Sequence, residues 1–152
     1  MKITTLNTKL YQKTLEWLLA RPRSVAETRT YLHRRNSEKD SEQIINQLIS
    51  QGYLDDTAFA KLYVENRRIS RGISQRRLEL ELRKKGVASQ IISRAIAENP
   101  RNDYEEIRKI ITKKAPKYQN DPQKLIQYLA AQGFDYESAK TAVHEMDSRN
   151  SA

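Results

Sequence analysis

Two stretches of this chain can be laid on one another without a gap. Ser74 to Gly86 matches Asp121 to Gly133 at a shift of 47, which sets Leu78 on Leu125, Leu82 on Leu129 and glycine on glycine. Ser24 to Asn36 matches Ser74 to Gly86 at a shift of 50, with Leu32 on Leu82 and Asn36 in the glycine's place. Each copy opens on a short polar side chain that can cap a helix. Each closes on a residue that accepts a left-handed backbone. Punctuation that recurs at roughly 45 residues is the mark of a helical array, in which small units stack. A unit of that size buries little core by itself, so the units are expected to stack around a shared one.

The rest of the chain fits this frame. Tyr11, Leu15, Leu18 and Leu19 recur at helical spacing until Pro22. Ser24-Val25-Ala26-Glu27 reads as a capping box, and the helix it opens sets Val25, Thr28, Tyr31 and Leu32 on one face. Ile44, Ile45, Leu48 and Ile49 make a third helix, which Gly52 closes. Asp55 or Asp56 then caps a helix bearing Phe59, Leu62, Tyr63 and Ile69. Ser74 caps the next, which ends at Gly86. Ser89 caps one with Ile92, Ala95 and Ile96 inward, and Pro100 bars its continuation. In the last third, Asp103-Tyr104-Glu105-Glu106 reads as a capping box before Ile107, Ile110 and Ile111. Asp121-Pro122 pairs a cap with a proline at the first helical position, ahead of Leu125, Tyr128 and Leu129. Asp135 starts a final helix through Tyr136, Ala139 and Val143. The segment from Lys113 to Asn120 reads as the longest loop, and no useful β-alternation occurs.

The expected fold is all-α: an elongated curved array of three tandem three-helix repeats, helix-turn-helix-like in build. A lead-in covers 1–9. The repeats span 10–54, 55–99 and 103–148, and a tail covers 149–152.

Little in this inventory performs chemistry. There is no cysteine, which removes disulfides, thiolate nucleophiles and cysteine metal sites. His33 and His144 each lack a second imidazole at ligand spacing and read as surface or partly packed side chains. The four glycines are isolated, so no phosphate loop or dinucleotide fingerprint forms, and no nucleophile elbow occurs. Asp55-Asp56 suits the needs of a helix first turn better than an acid pair. Glu79 and Glu81 sit two apart on a helix and point to different faces, so pairing with Lys or Arg is their simpler role. No catalytic, cofactor or metal residue is assigned, and no enzyme is expected. Runs such as Trp17 to Ala20 are too short to span a bilayer. Met1 to Thr5 has no apolar signal core, and a cytoplasmic protein is expected.

Charge is the remaining signal. The chain carries 28 Lys and Arg against 19 Asp and Glu, a net charge of +9, which favours polyanions or acidic surfaces as partners. Residues 56–99 hold more than half of that excess. Arg67, Arg68, Arg71, Arg76, Arg77, Arg83, Lys84 and Lys85 all fall there, and seven-residue spacing places Arg77 with Lys84 and Arg76 with Arg83 on common faces. With Leu78 and Leu82 turned to the core, these charges are expected to project outward. Some serve helix C-termini, but the cluster exceeds what capping needs. A phosphate backbone and an acidic protein groove both fit it. Of the eight tyrosines, Tyr11, Tyr31, Tyr63 and Tyr128 fall on inward positions, which argues for core over base stacking.

The central run resembles a known family. Gly52-Tyr53-Leu54-Asp55-Asp56-x-x-Phe59-Ala60, Tyr63-Val64-x-x-Arg67, Arg71-Gly72 and Leu78-x-x-Glu81-Leu82-x-x-Lys85-Gly86-Val87 are similar to the RecX regulators of the bacterial recombinase RecA. The resemblance is specific over 52–97, and the flanking units fit that family's three-fold repeat. They depart from its Lys-Gly closure at Arg35-Asn36 and at Ala131-Gln132-Gly133. The resemblance implies a non-enzymatic molecule that lies in the helical groove of the RecA–DNA filament; the lack of a long apolar seam makes a monomer the default expectation. The resemblance also implies inhibition of RecA's ATP hydrolysis and strand exchange, with contacts to the RecA filament and to single- or double-stranded DNA, and makes the eight central basic residues the expected contacts. A sequence-nonspecific DNA-binding protein of helix-turn-helix type is the alternative. A nucleic-acid-processing enzyme is disfavoured by the missing metal or nucleophile set.

Overall fold

A computed structural model describes residues 7–35, 38–70, 72–100 and 102–150, apart from the side chains of 68–70 and 150. Asn36 and Arg71 therefore lie outside the described residues, as do the side chains of Arg68 and Ile69. Among the described residues there are nine α-helices and no strand. The first unit holds α1 (Thr8–Ala20), α2 (Val25–His33) and α3 (Glu38–Ser50). The second holds α4 (Asp56–Ser70), α5 (Gln75–Lys84) and α6 (Ser89–Ala97). The third holds α7 (Asp103–Lys114), α8 (Pro122–Ala131) and α9 (Tyr136–Asn150).

The caps show why the helices begin where they do. Ser24 and Glu27 form the full capping box, and Ser74 and Asp121 each accept a hydrogen bond from the backbone N–H three residues on. Asp55 accepts from Thr57 and Ala58 N–H, and Asp135 accepts from Ser138 N–H. Gly52, Gly86 and Gly133 all take positive φ, at 82°, 78° and 98°.

Two expected caps are corrected. Ala88, not Ser89, precedes α6, with no side-chain cap. Asn102, not Asp103, caps α7 through Glu105 N–H, because the Asp103 carboxylate is engaged elsewhere. The expected loop at 113–120 is mostly helical: α7 runs to Lys114 and a 3-10 turn follows over Ala115–Tyr118.

The apolar spacing places most inward residues correctly, including Leu32, Leu78, Leu82, Ile107, Leu125 and Leu129, all fully buried or nearly so. Three large side chains are corrected. Leu19 is 70% exposed, Ile49 46% and Leu62 40%. Leu10, Thr14, Ala60 and Val64 take inward places.

The core is not shared, contrary to expectation. Three separate clusters form, one per unit. The first gathers around Leu32, Ile44, Ile45 and Leu48. The second gathers around Ala60, Val64, Leu78 and Leu82. The third gathers around Ile107, Ile111, Ile126 and Leu129.

Polar joints of one design connect these cores. At the first joint, the Ser24 hydroxyl donates to the Lys85 carbonyl (2.5 Å), and the Asp56 carboxylate accepts from Val25 N–H (2.9 Å). At the second, the Ser74 hydroxyl donates to the Gln132 carbonyl (3.2 Å), and Asp103 accepts from Gln75 N–H (2.8 Å). Each serine oxygen thus caps its own helix and binds the next unit. Glycine makes the approach possible. A Cβ on Gly86 would stand 2.3 Å from the Ala26 Cβ, and one on Gly133 would stand 2.7 Å from the Ser74 Oγ.

Candidate partner-binding surface

The eight basic positions of the second unit do not form one uniform surface. Arg67, near the end of α4, faces Glu81 on α5, and its Nε and Nη2 donate to the two carboxylate oxygens at 3.0 and 2.8 Å. The Tyr63 hydroxyl donates to the same carboxylate at 2.9 Å. Arg77, one turn before Glu81, approaches it to 3.6 Å and donates to the Gln132 side chain at 2.9 Å. Lys85 pairs with Glu27 across the first joint at 3.2 Å. Arg67, Arg77 and Lys85 are therefore held within the fold instead of projecting freely outward. Only the Arg77–Glu81 pair lies at helical spacing; the carboxylate that claims Arg67 comes from another helix and that of Lys85 from another unit, which the sequence could not show.

The pairing shifts the ionisation of these groups. Burial pushes the Glu81 carboxyl up, but hydrogen bonds from Arg67 and Tyr63 outweigh it and hold the group below the usual carboxylate range. Its carboxylate in turn raises the Arg67 guanidinium. Burial, then the bond to Glu81, pushes the Tyr63 phenol up to about 12.

Arg76, Arg83 and Lys84 differ. They lie exposed on α5, and no ion pair engages them among the described residues. Arg76 and Arg83 stand two turns apart, so their charges line one side of the helix. Lys84 borders a broad recess at the first joint together with Trp17, Tyr31, Arg34 and Arg35.

That recess contains a feature the sequence reading missed. Trp17 stacks on Tyr31 with ring centroids 4.1 Å apart and planes at 14°. The Arg23 guanidinium lies 4.4 Å from the outer indole face, and the Arg35 guanidinium lies 4.0 Å from the outer phenol ring. Four side chains thus form a continuous cation–π ladder. Periodicity placed Tyr31 in the core, and it is half-buried. Its pairing with Trp17 crosses two helices and leaves no signal at helical spacing. The histidines stand apart from these features in role: His33 is 3.9 Å from Glu42, and His144 is exposed on α9. Among the described residues no group of three or more His, Asp or Glu could hold a metal, and no helix is long and apolar enough to cross a membrane.

Comparison with known proteins shows what the chain is similar to. Residues 55–96 match the family model described as RecX, second three-helix domain. The chain is 32% identical over 135 residues to the regulatory protein RecX of Amycolatopsis mediterranei, covering 84% of this chain and 77% of that protein. It is 33% identical over 110 residues to the regulatory protein RecX of Vibrio campbellii, covering 70% of each. The match to the Lactobacillus johnsonii protein of the same name spans 90% of this chain but about half, 53%, of that longer protein. Among solved structures, RecX from Lactobacillus salivarius superposes with a TM-score of 0.76 at 26% identity, covering 92% of this chain and 96% of that one.

Proposed function

Because the chain belongs to the RecX family of regulatory proteins, we propose that it binds the RecA nucleoprotein filament and lowers RecA's ATPase and recombinase activity, without catalysis of its own. The observation that carries this reading is the exposed basic side of α5. Among the described residues no ion pair engages Arg76, Arg83 and Lys84, in a fold that ties Arg67 and Arg77 to Glu81 and Lys85 to Glu27. Unpaired surface cations cost stability through mutual repulsion, so their presence beside ion-paired neighbours favours a polyanionic or acidic partner. An array of rigid units also suits a long, repetitive target better than a compact ligand.

The test is a titration of RecA ATPase on single-stranded DNA with the purified chain. Suppression is expected well below the amount that coats bare DNA. The triple variant R76E/R83E/K84E is expected to keep its helix content and to lose at least tenfold in inhibitory potency. Suppression only at DNA-coating amounts would favour the plain DNA-binding alternative. Full potency in the triple variant would place the grip elsewhere.

A further inference from the structure

The recess that contains the cation–π ladder holds more positive charge than the first joint uses. It measures about 610 Å³, and its charged lining is Glu27, Arg34, Arg35, Lys84 and Lys85. Both oxygens of Glu27 are engaged: Oε1 accepts from Ser24 N–H at 3.1 Å and Oε2 from the Lys85 ammonium at 3.2 Å. The C-termini of α2 and α5 meet here, and their dipoles supply about one negative charge between them. Four cations against one carboxylate and those dipoles leave an excess of about two charges. Arg34, Arg35 and Lys84 are all exposed, and no carboxylate engages them among the described residues.

The aromatic part of the lining ends in a planar cation. Trp17 and Tyr31 cover one another, so neither ring offers its inner face. The Arg35 guanidinium covers the outer face of Tyr31 and is pinned there, because its Nη1 donates to the Tyr31 carbonyl at 3.0 Å. Its opposite face is the end of the ladder. The joint itself does not require this set. The shifts of 50 and 47 put Glu81 at the place of Tyr31, and Ala131 and Gln132 at those of Lys84 and Lys85. The second joint closes with the same serine and aspartate bonds without the stacked tyrosine or the two lysines.

A guanidinium plane backed by two rings is a platform on which a nucleobase stacks. A base inside a duplex has both faces covered by its neighbours, so only an unpaired base can use the platform. Carboxylate side chains would match the cations but not the plane. We propose that this recess binds a single strand of nucleic acid, with an unpaired base on Arg35 and the flanking phosphates on Arg34 and Lys84. Arg34 and Arg35 lie off α5, and the test contains no RecA, so this site and the filament reading can fail separately.

Trp17 is the only tryptophan of the chain and lines the recess, so its emission reports occupancy. The full chain is titrated with a 15-mer oligothymidylate, with an abasic strand of the same backbone and with a duplex of the same length, over a salt series. Oligothymidylate is expected to change the Trp17 emission and to bind at least about fivefold tighter than the abasic strand, the weak end of base stacking. The duplex is expected to leave the emission unchanged. Arg35→Lys, which keeps the charge and removes the plane, is expected to bind oligothymidylate and the abasic strand equally. R34Q/K84Q is expected to keep its helix content and its base preference while the salt slope falls by about 1.4, as two lost single-strand phosphate contacts require. Equal binding of oligothymidylate and the abasic strand by the native chain would overturn the proposal with no variant involved, as would a duplex that changes the emission as the single strand does. An unchanged slope in R34Q/K84Q would overturn the phosphate contacts. Poly-glutamate that changes the emission and displaces the strand at equal charge concentration would overturn the occupant in favour of an acidic protein segment.

Discussion

Glu81 does more than any other charged side chain to organise the central unit. It accepts from Tyr63 and Arg67 on α4 and draws in Arg77 on its own helix, tying α4 to α5 beside the Leu78–Leu82 core. Replacing it by Gln leaves a guanidinium half-buried without its counter-charge. Glu81→Gln is expected to destabilise the fold by about 1–3 kcal/mol at neutral pH, measured by urea unfolding. The folded-state pKa of Glu81 is depressed, so its stabilisation is fully present above the ordinary carboxylate value. It is lost as pH falls through the folded value. The gap between the native chain and the variant should therefore be flat from pH 6 to 8 and shrink in the acid range. A gap that grows on acidification would contradict this. The sequence reading correctly assigned Glu81 to pairing with Lys or Arg. Arg77 is its neighbour at helical spacing, but the meeting with Arg67 depends on how α4 crosses α5, and that crossing is not written there.

At the scale of the element, the most informative residues are those that terminate one helix and receive another. Ser24, Ser74 and Asp121 were legible as caps because capping is decided within one turn of chain. The second bond of Ser24 and Ser74, to a carbonyl in the next unit, was not legible, because its partner lies far along the sequence. The same division explains Asp103. Its position at the start of α7 reads as a cap, yet its carboxylate reaches Gln75 N–H, and Asn102 does the capping. At Pro122, the place equivalent to Val25 and Gln75, there is no N–H to offer a following unit. The glycines separate backbone strain from contact. Gly52→Ala meets open space, so it should cost only the left-handed strain, about 1–2 kcal/mol. Gly86→Ala adds a collision with Ala26 and should cost clearly more and weaken the first joint. Equal thermal shifts in the two variants would show that the joint yields freely.

Across the whole molecule, three cores and two polar joints predict uneven stability. Nearest-neighbour coupling through a few hydrogen bonds is weaker than coupling through a common core. Leu129→Ala removes a fully buried side chain from the third cluster and should destabilise that unit by about 2–5 kcal/mol. Amide exchange should then accelerate through α7, α8 and α9 while α2 and α3 keep their protection. Uniform acceleration along the chain would show that the units unfold together. The exposed Leu62 belongs to this scale too. It was read as core from its spacing, but it lines the recess where the first and second units meet.

The sequence alone determined what is local: helix content, most boundaries, the inward leucines, the left-handed glycines and the repeat itself. These follow from interactions within four or five residues and from a period that recurs. Tertiary structure decided which cations are neutralised, where aromatic rings meet, and that each unit keeps its own core. Those outcomes depend on groups brought together from different helices, 14 residues apart for Arg67 and Glu81 and 58 for Lys85 and Glu27. The docking of one unit on the next selects these pairs, and side-chain spacing along the chain carries no record of it.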